Sequence, residues 1–127
     1  MSTNIQNVSA PRAGENTWLW LIKIVSGGLL VVLLLIHLIV NHFIAENGLM
    51  SYADVVAYFQ NPIIPIMEIC FLATVVIHSL ISLRGILLDL NPARSLLKVI
   101  DWGFIIIGAA AITYGVWLAL VIASADV

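Results

Sequence analysis

Two histidines interrupt long apolar runs of this chain, and they are its strongest candidates for chemistry. His37 lies within GLLVVLLLIHLIV, and His78 lies within FLATVVIHSLIS. Neutral imidazole is a good iron ligand, and ligation satisfies a polar ring that hydrocarbon would otherwise leave without a partner. Both residues are therefore candidate metal ligands. The structural alternative for each is a hydrogen bond to a neighbouring helix.

Helical spacing places three further small or polar residues on the same face as His78. Ser82, Gly85 and Asp89 follow it by four, seven and eleven residues, and these intervals return to one side of an α-helix. Along this face we expect four features in a line toward one end of the helix: the imidazole, the Ser82 hydroxyl, a gap for a flat ligand at Gly85, and the Asp89 carboxylate.

The composition identifies the surroundings of these residues as a lipid bilayer. Apolar residues make up 62% of the chain and charged residues 9%, whereas about a quarter of a soluble domain is charged. We expect an all-α membrane protein with transmembrane helices over about residues 18–44, 63–88 and 102–124, each long enough to cross about 30 Å of hydrocarbon. Residues 1–17 are expected to form a polar cytoplasmic tail, and 18–127 the membrane domain.

The two connections between the spans carry local structure signals. The segment MSYADVVAYFQ in the first connection is consistent with a short surface helix. Pro62 and Pro65 suit the start of the second span, and Asn91-Pro92 predicts a turn before the third.

The basic residues predict the orientation of the chain in the membrane. The first connection has none and carries Glu46, Asp54 and Glu68 instead. The five basic residues lie in the tail, at the start of span one or around the second connection: Arg12, Lys23, Arg84, Arg94 and Lys98. The positive-inside rule then places the N-terminus and the second connection in the cytoplasm and the C-terminus outside.

This orientation gives each histidine a depth. His37 falls in the outer half of span one and His78 in the inner half of span two, about 10–12 Å apart along the membrane normal. The pair is therefore not expected to hold one iron between them, and each would need a partner histidine from elsewhere. If only His78 ligates a metal, His37 becomes a polar strut.

Small residues predict where helices approach closely. Ser26 shares a face with His37 and Asn41, and Gly27-Gly28 beside it is expected to leave room in the inner half of the bundle. A stripe of small residues in span three predicts close helix packing: Gly108, Ala111, Gly115 and Ala119.

Several functions are excluded or disfavoured because the sequence lacks the motifs that they require. Cys70 is the only cysteine, so there is no disulfide framework, iron–sulfur cysteine set or covalent haem attachment motif. The net charge of −2 comes without a basic patch, which argues against nucleic acid as a partner. The sequence shows neither a nucleophile with an adjacent general base nor a flavin or nucleotide motif. We therefore expect a non-catalytic subunit that positions cofactors.

These residues carry a resemblance to a known family. The segments SGGLLVVLLLIHL and IHSLISLRGILLDL, with a plain third span, resemble the small cytochrome b membrane-anchor subunits of succinate dehydrogenase and fumarate reductase, the complex II family. The resemblance implies half of a bundle completed by a second anchor subunit, in a bacterial or archaeal cytoplasmic membrane. It also implies haem b, and docked flavoprotein and iron–sulfur subunits that pass electrons from succinate to quinone.

Residue by residue, the resemblance implies that His78 ligates an inner haem b and that His37 ligates an outer one, as in two-haem members. Residues around them become candidate cofactor contacts, with Arg84 and Asp89 near haem propionates and the quinone pocket: Ser26, Gly27, Ser82, Arg84, Gly85 and Asp89. Many relatives have a tyrosine after the aspartate, where this chain has Leu90. The quinone pocket is therefore expected to depend on partner subunits.

Two other functions remain open at this point. A small transporter or proton-path subunit would use Glu68, His37 and His78 as a relay. A b-type anchor of a nitrate reductase or formate dehydrogenase is the other alternative, although such anchors usually have more histidines than the three of this chain.

The predicted orientation can be tested with a reporter fused after Val127. We expect the reporter to be periplasmic, because the basic residues lie on the opposite side of the membrane. A paired alkaline phosphatase and green fluorescent protein fusion measures this directly. A fluorescent, phosphatase-inactive result would reverse both the topology and the depths of the two histidines.

Overall fold

The computed structural model of the chain describes residues 16–44 and 50–125, and the regular structure there is entirely helical. Most of the predicted tail, residues 1–15, lies outside the described residues. The four helices are α1 (Thr17–Ile44), α2 (Tyr52–Phe59), α3 (Ile63–Asp89) and α4 (Arg94–Ala123). Helices α1, α3 and α4 are long and apolar enough to cross a membrane, which confirms the predicted all-α fold with three spans.

Helix α4 begins well before the predicted third span. It starts at Arg94, whereas the predicted span starts at Trp102, because Lys98 and Asp101 interrupt the apolar run. Intrahelical hydrogen bonds do not require apolar side chains, so the first turns of α4 extend the helix beyond the stretch that hydropathy identifies.

The short helix α2 begins with a capping box. The Ser51 hydroxyl accepts a hydrogen bond from the Asp54 backbone N–H at 3.3 Å, and the Ser51 backbone N–H donates to the Asp54 carboxylate at 2.8 Å. The Ser51 hydroxyl also donates to that carboxylate, and together these bonds hold the pKa of Asp54 below its usual range. The expectation of a helix in this connection is confirmed by α2. The helix is stabilised at its start because the reciprocal capping satisfies two otherwise unpaired donors.

Both ends of α3 form as the sequence predicts. Pro62 is the N-cap of α3 and Pro65 lies in its first turn, where the missing N–H of proline costs no hydrogen bond. After α3 the chain turns at Asn91, whose φ of 49° is in the left-handed region. Asparagine tolerates this conformation better than most residues, and Pro92 then prevents the helix from continuing.

Helix α3 lies between α1 and α4 and packs against both, whereas no close backbone contact joins α1 to α4 within the described residues. Helix α2 packs on α3 and α4. The Gln60 side chain donates to the Ala125 carbonyl at 3.0 Å, which places α2 beside the C-terminal end of α4.

Glycines of α4 allow α3 to pack closely against it. A Cβ at Gly108 would lie 2.8 Å from Leu80 Cδ1, and a Cβ at Gly115 would overlap the side chain of Leu72. Ala119, the last member of the predicted small-residue stripe, is buried. The stripe therefore packs helices, as expected from its sequence.

Most large apolar side chains face outward. Within the described part of the chain, the buried hydrophobic core consists of Val56, Tyr58, Ile64 and Ala119. On α1, Val25 is 60% exposed and Leu35 is 55% exposed. Such a surface is stable in contact with lipid or with further apolar helices, and the chain is accordingly a multi-pass membrane protein.

The glycine packing predicts a position-dependent cost of adding a side chain to α4. Gly115→Val should destabilise the purified protein by about 1–3 kcal/mol, because Leu72 must move to accommodate it. Gly103→Val is the matched control, since a Cβ there meets no atom within 4 Å. Thermal unfolding in detergent measures both variants. Equal loss of stability in the two would show that helix propensity, not packing, dominates.

Candidate functional site

The imidazole of His78 is fixed against α1 through its Nδ1 atom. Nδ1 lies 3.1 Å from the Ser26 hydroxyl and 3.2 Å from the Lys23 carbonyl oxygen. The Ser26 hydroxyl also lies 3.1 Å from that carbonyl, to which it donates. Ser26 is 8% exposed, so this triangle of polar atoms is shielded from water.

The backbone at Gly27 allows this close approach. A Cβ at Gly27 would lie 3.1 Å from His78 Cε1, whereas a Cβ at Gly28 would meet nothing within 4 Å. Of the two adjacent glycines, only Gly27 supports the ring of His78.

The other ring nitrogen of His78 has a weaker partner. The Ser82 hydroxyl lies 3.4 Å from Nε2, at the outer limit for a hydrogen bond. A histidine whose Nδ1 is held by a backbone carbonyl or hydroxyl while Nε2 remains accessible is the usual arrangement of a metal-ligating imidazole. The residues at this site therefore fit an iron bound at Nε2.

The remaining predicted site residues of α3 have different positions. Gly85 is buried on α3, and Asp89 is its last residue. Arg84 forms a two-pronged ion pair with Asp101 of α4, with Nε–Oδ1 at 2.6 Å and Nη2–Oδ2 at 3.1 Å. Sequence reasoning missed Asp101, although an acidic residue in the first turns of the following helix was an available signal.

An apolar groove lies beside this ion pair, between α3 and α4. Its volume is about 440 Å³. Arg84 and Asp101 are its only charged lining residues, and the others include Leu19, Val76, Leu80, Phe104 and Gly108. A mostly apolar groove with one polar end suits a ligand of the same character.

His37 is held from α3 by a carboxylate. Its Nδ1 lies 3.0 Å from both Glu68 oxygens. A carboxylate only accepts hydrogen bonds, so Nδ1 carries the proton. The Asn41 amide also lies 3.3 Å from Nδ1 but only 2.7 Å from the His37 carbonyl oxygen. Because Nδ1 is a donor, the amide donates to the carbonyl.

Two aromatic side chains complete the site at His37. Phe71 stacks on the imidazole with 4.9 Å between ring centroids. Tyr58, from α2, donates its hydroxyl to Glu68 Oε1 at 3.1 Å. Sequence reasoning identified Glu68 as a candidate but missed Tyr58, whose contribution depends on how α2 folds back onto α3.

Burial of the Tyr58 phenol, together with the charge of Glu68 and the hydrogen bond to it, raises the pKa of Tyr58 to about 12. Tyr58 is 7% exposed, whereas Tyr52 of the same helix is 74% exposed. Tyr58 therefore remains a protonated donor to Glu68 far above neutral pH.

The two histidine sites lie at different levels of the bundle, as the sequence predicts. His78 is level with Ser26, and His37 is level with Glu68. Ten residues of α3 separate Glu68 from His78, which corresponds to about 15 Å of helix and is somewhat more than the predicted depth difference. Glu68 and His37 therefore form one cluster, and His78 belongs to another.

Three apolar helices that hold two imidazoles at different levels define a multi-pass membrane protein with polar sites inside its spans. The chain belongs to the family of succinate dehydrogenase/fumarate reductase transmembrane subunits, whose family model matches residues 1–117. This confirms the resemblance to the membrane anchors of succinate dehydrogenase and fumarate reductase.

A curated relative supports the same assignment. The chain is 33% identical, over 72 residues, to the succinate dehydrogenase hydrophobic membrane anchor subunit of Archaeoglobus fulgidus. The match covers 57% of this chain and 61% of that protein. Among solved structures, none matches the chain at a significant level.

The raised pKa of Tyr58 predicts a pH dependence of stability. Between the ordinary tyrosine pKa of about 10 and about 12, the folded chain keeps a proton that the unfolded chain releases. Stability contributed by Tyr58 is thus fully present below pH ~10 and is lost as pH rises toward 12. As pH rises through this window, the thermal unfolding temperature of the wild type should fall more steeply than that of Tyr58→Phe.

Tyr52→Phe is the matched control for this experiment, because it removes the phenol of an exposed tyrosine on the same helix. It should keep the wild-type slope. A Tyr58→Phe slope equal to that of the wild type would mean that Tyr58 titrates normally in the folded protein.

Proposed function

We propose that this chain is the haem b-binding membrane-anchor subunit of a succinate:quinone oxidoreductase in the cytoplasmic membrane of a bacterium or archaeon. It docks a flavoprotein subunit and an iron–sulfur subunit and helps to pass electrons to membrane quinone. The observation that carries this proposal is the His78 site. There an imidazole is anchored through Nδ1 to Ser26 and the Lys23 carbonyl, with Gly27 against the ring.

His78 would hold the inner haem through Nε2. Bound haem b supplies a one-electron carrier within the membrane. The chain's own residues fix the ligand: the Ser26 hydroxyl and the Lys23 carbonyl set the ring orientation and the proton position at Nδ1, and Gly27 leaves space for the ring. Glu68 gives His37 a similar anchor at Nδ1, and we assign His37 to an outer haem on the same grounds.

A second membrane-anchor subunit follows from the distribution of ligands. The chain has three histidines, and His42 lies on the exposed end of α1, beyond the level of His37. Within the described residues, neither His37 nor His78 has a second histidine at its own level. If each haem takes a second histidine ligand, a partner chain would supply it, and the exposed apolar surface of α1 offers a place for that chain to pack.

The quinone site is proposed at the subunit interface near the inner end of α3. The groove between α3 and α4 is apolar along its length and ends at the Arg84–Asp101 ion pair, which suits an isoprenoid tail and a polar ring. Leu90 supplies no hydroxyl after Asp89, so partner subunits contribute the further hydrogen bonds to the quinone.

A proton-path subunit is the alternative that one observation favours, namely the chain of hydrogen bonds from Tyr58 through Glu68 to His37. A relay through all three groups would also include His78, and about 15 Å of helix separates that residue from Glu68. An absorption spectrum of the purified complex discriminates between the two functions. A complex without haem absorption would support the proton-path alternative.

His78→Ala should lose the inner haem and keep the outer one, because the variant removes the ligand without changing the site at His37. Haem extraction per complex, combined with the reduced-minus-oxidised spectrum, measures the loss. An assembled variant with full haem content and an unchanged low-spin spectrum would refute the assignment.

The adjacent glycines provide a subtler version of the same test. Gly27→Ala should lower inner-haem occupancy, because its Cβ displaces the His78 ring by a few tenths of an ångström, and altered support of a ligating histidine costs about 10–100-fold in metal affinity. Gly28→Ala should retain wild-type occupancy, since its Cβ meets open space. The same occupancy in both variants would argue against Gly27 as the support of the ring.

A further inference from the structure

We propose that Tyr58 and Glu68 are positioning residues that adjust, in opposite directions, the midpoint potential of the outer haem through the imidazole of His37. The inference rests on the proposed function, because it takes His37 as an iron ligand. It concerns the two residues behind the ligand, Glu68 and Tyr58, to which the family match assigns no role.

Glu68 acts on the ring through Nδ1. Both of its oxygens lie 3.0 Å from that atom, and the Glu68 side chain is 17% exposed. A carboxylate at this distance, largely away from water, attracts the Nδ1 proton and makes the imidazole a more electron-rich ligand. An electron-rich ligand stabilises ferric over ferrous iron, so Glu68 lowers the potential.

Tyr58 acts on the same carboxylate with the opposite sign. Its hydroxyl donates to Oε1 at 3.1 Å and withdraws negative charge from the group that polarises His37. Because the phenol is buried and its pKa is raised to about 12, it is a donor throughout the physiological pH range. Tyr58 therefore partly offsets Glu68 and raises the potential.

Within the described residues, no other charged side chain lines the groove beside Glu68. The side of the cluster formed by α4 is apolar, with Leu118, Ala119 and Ile122 beside Glu68. The nearby Asn41 amide donates to the His37 carbonyl oxygen at 2.7 Å. The Asn41 side chain also interacts with Tyr58 but carries no net charge, so among the described residues around the carboxylate the charge at Nδ1 is set by Glu68 and Tyr58.

The test is a redox titration of haem absorbance in the complete complex, for the wild type, Glu68→Gln and Tyr58→Phe. Glu68→Gln should shift one of two midpoint potentials upward, because it removes the carboxylate charge. Tyr58→Phe should shift the same potential downward, because the carboxylate becomes a stronger acceptor. The other potential should be unchanged. Shifts of the same sign, or no shift, would overturn the proposal.

Matched controls separate this effect from loosened packing. Tyr52→Phe, on the exposed side of α2, should leave both potentials at their wild-type values. Glu68→Asp, which keeps the charge, should return the potential toward that of the wild type. If Glu68→Gln does not assemble, Tyr58→Phe against Tyr52→Phe still decides the sign, and a Tyr58→Phe potential that is not lowered overturns the proposal.

His37→Leu distinguishes failure of this inference from failure of the proposed function. Two haems per complex, with one lost in His37→Leu, establish the premise, and unmoved potentials in the other variants would then overturn only the roles of Glu68 and Tyr58. One haem per complex, with an unchanged spectrum in His37→Leu, would remove the outer haem and the inference together.

Discussion

A polar ring within a membrane span must find its hydrogen-bond partners in protein, and this requirement sets the register of α1 against α3. Leaving such a group unpaired in hydrocarbon costs several kcal/mol. His78 reaches across to Ser26, and His37 of α1 is reached by Glu68 of α3. Eleven residues along α1 thus correspond to ten along α3 in the opposite direction, as two antiparallel helices in one fixed register require.

The same two contacts hold each histidine through one ring nitrogen. In both histidines the partner across the helix interface binds Nδ1. The Nε2 atom of His78 has only the Ser82 hydroxyl at 3.4 Å, and that of His37 has no hydrogen bond to a described residue. The chemistry of the two anchors differs. His78 faces neutral oxygens, whereas His37 faces a carboxylate, so the two imidazoles differ in electron density although their residue type is the same.

Helix α3 carries the polar contacts on one side and close apolar packing on another. Its His78 face meets α1, while Leu72 and Leu80 fill the space left by glycines of α4. Arg84 points to α4 as well and pairs with Asp101, which neutralises two charges near the end of the spans. Helix α2 then closes the cluster at His37 by placing Tyr58 over Glu68. The remaining surface is apolar and suits lipid or a partner chain.

Much of this arrangement follows from the sequence alone, because hydropathy and helical period are local properties. Composition determined the membrane class, charge-free length determined the spans, and residue spacing determined that His37 and His78 lie at different levels. The nearness of Ser26 and Gly27 to His78 was also within reach, since small and polar residues in apolar helices mark close contacts.

Only the tertiary structure decided which groups face each imidazole and where Arg84 points. The pairing of Glu68 with His37 depends on the rotation of α1 against α3, and Tyr58 joins them only because α2 folds back onto the bundle. Arg84 lies about 120° around α3 from His78, which directs it to Asp101 and not to the His78 face. Helix rotation and the path of a connection depend on packing across the bundle, so no local pattern in the sequence specifies them.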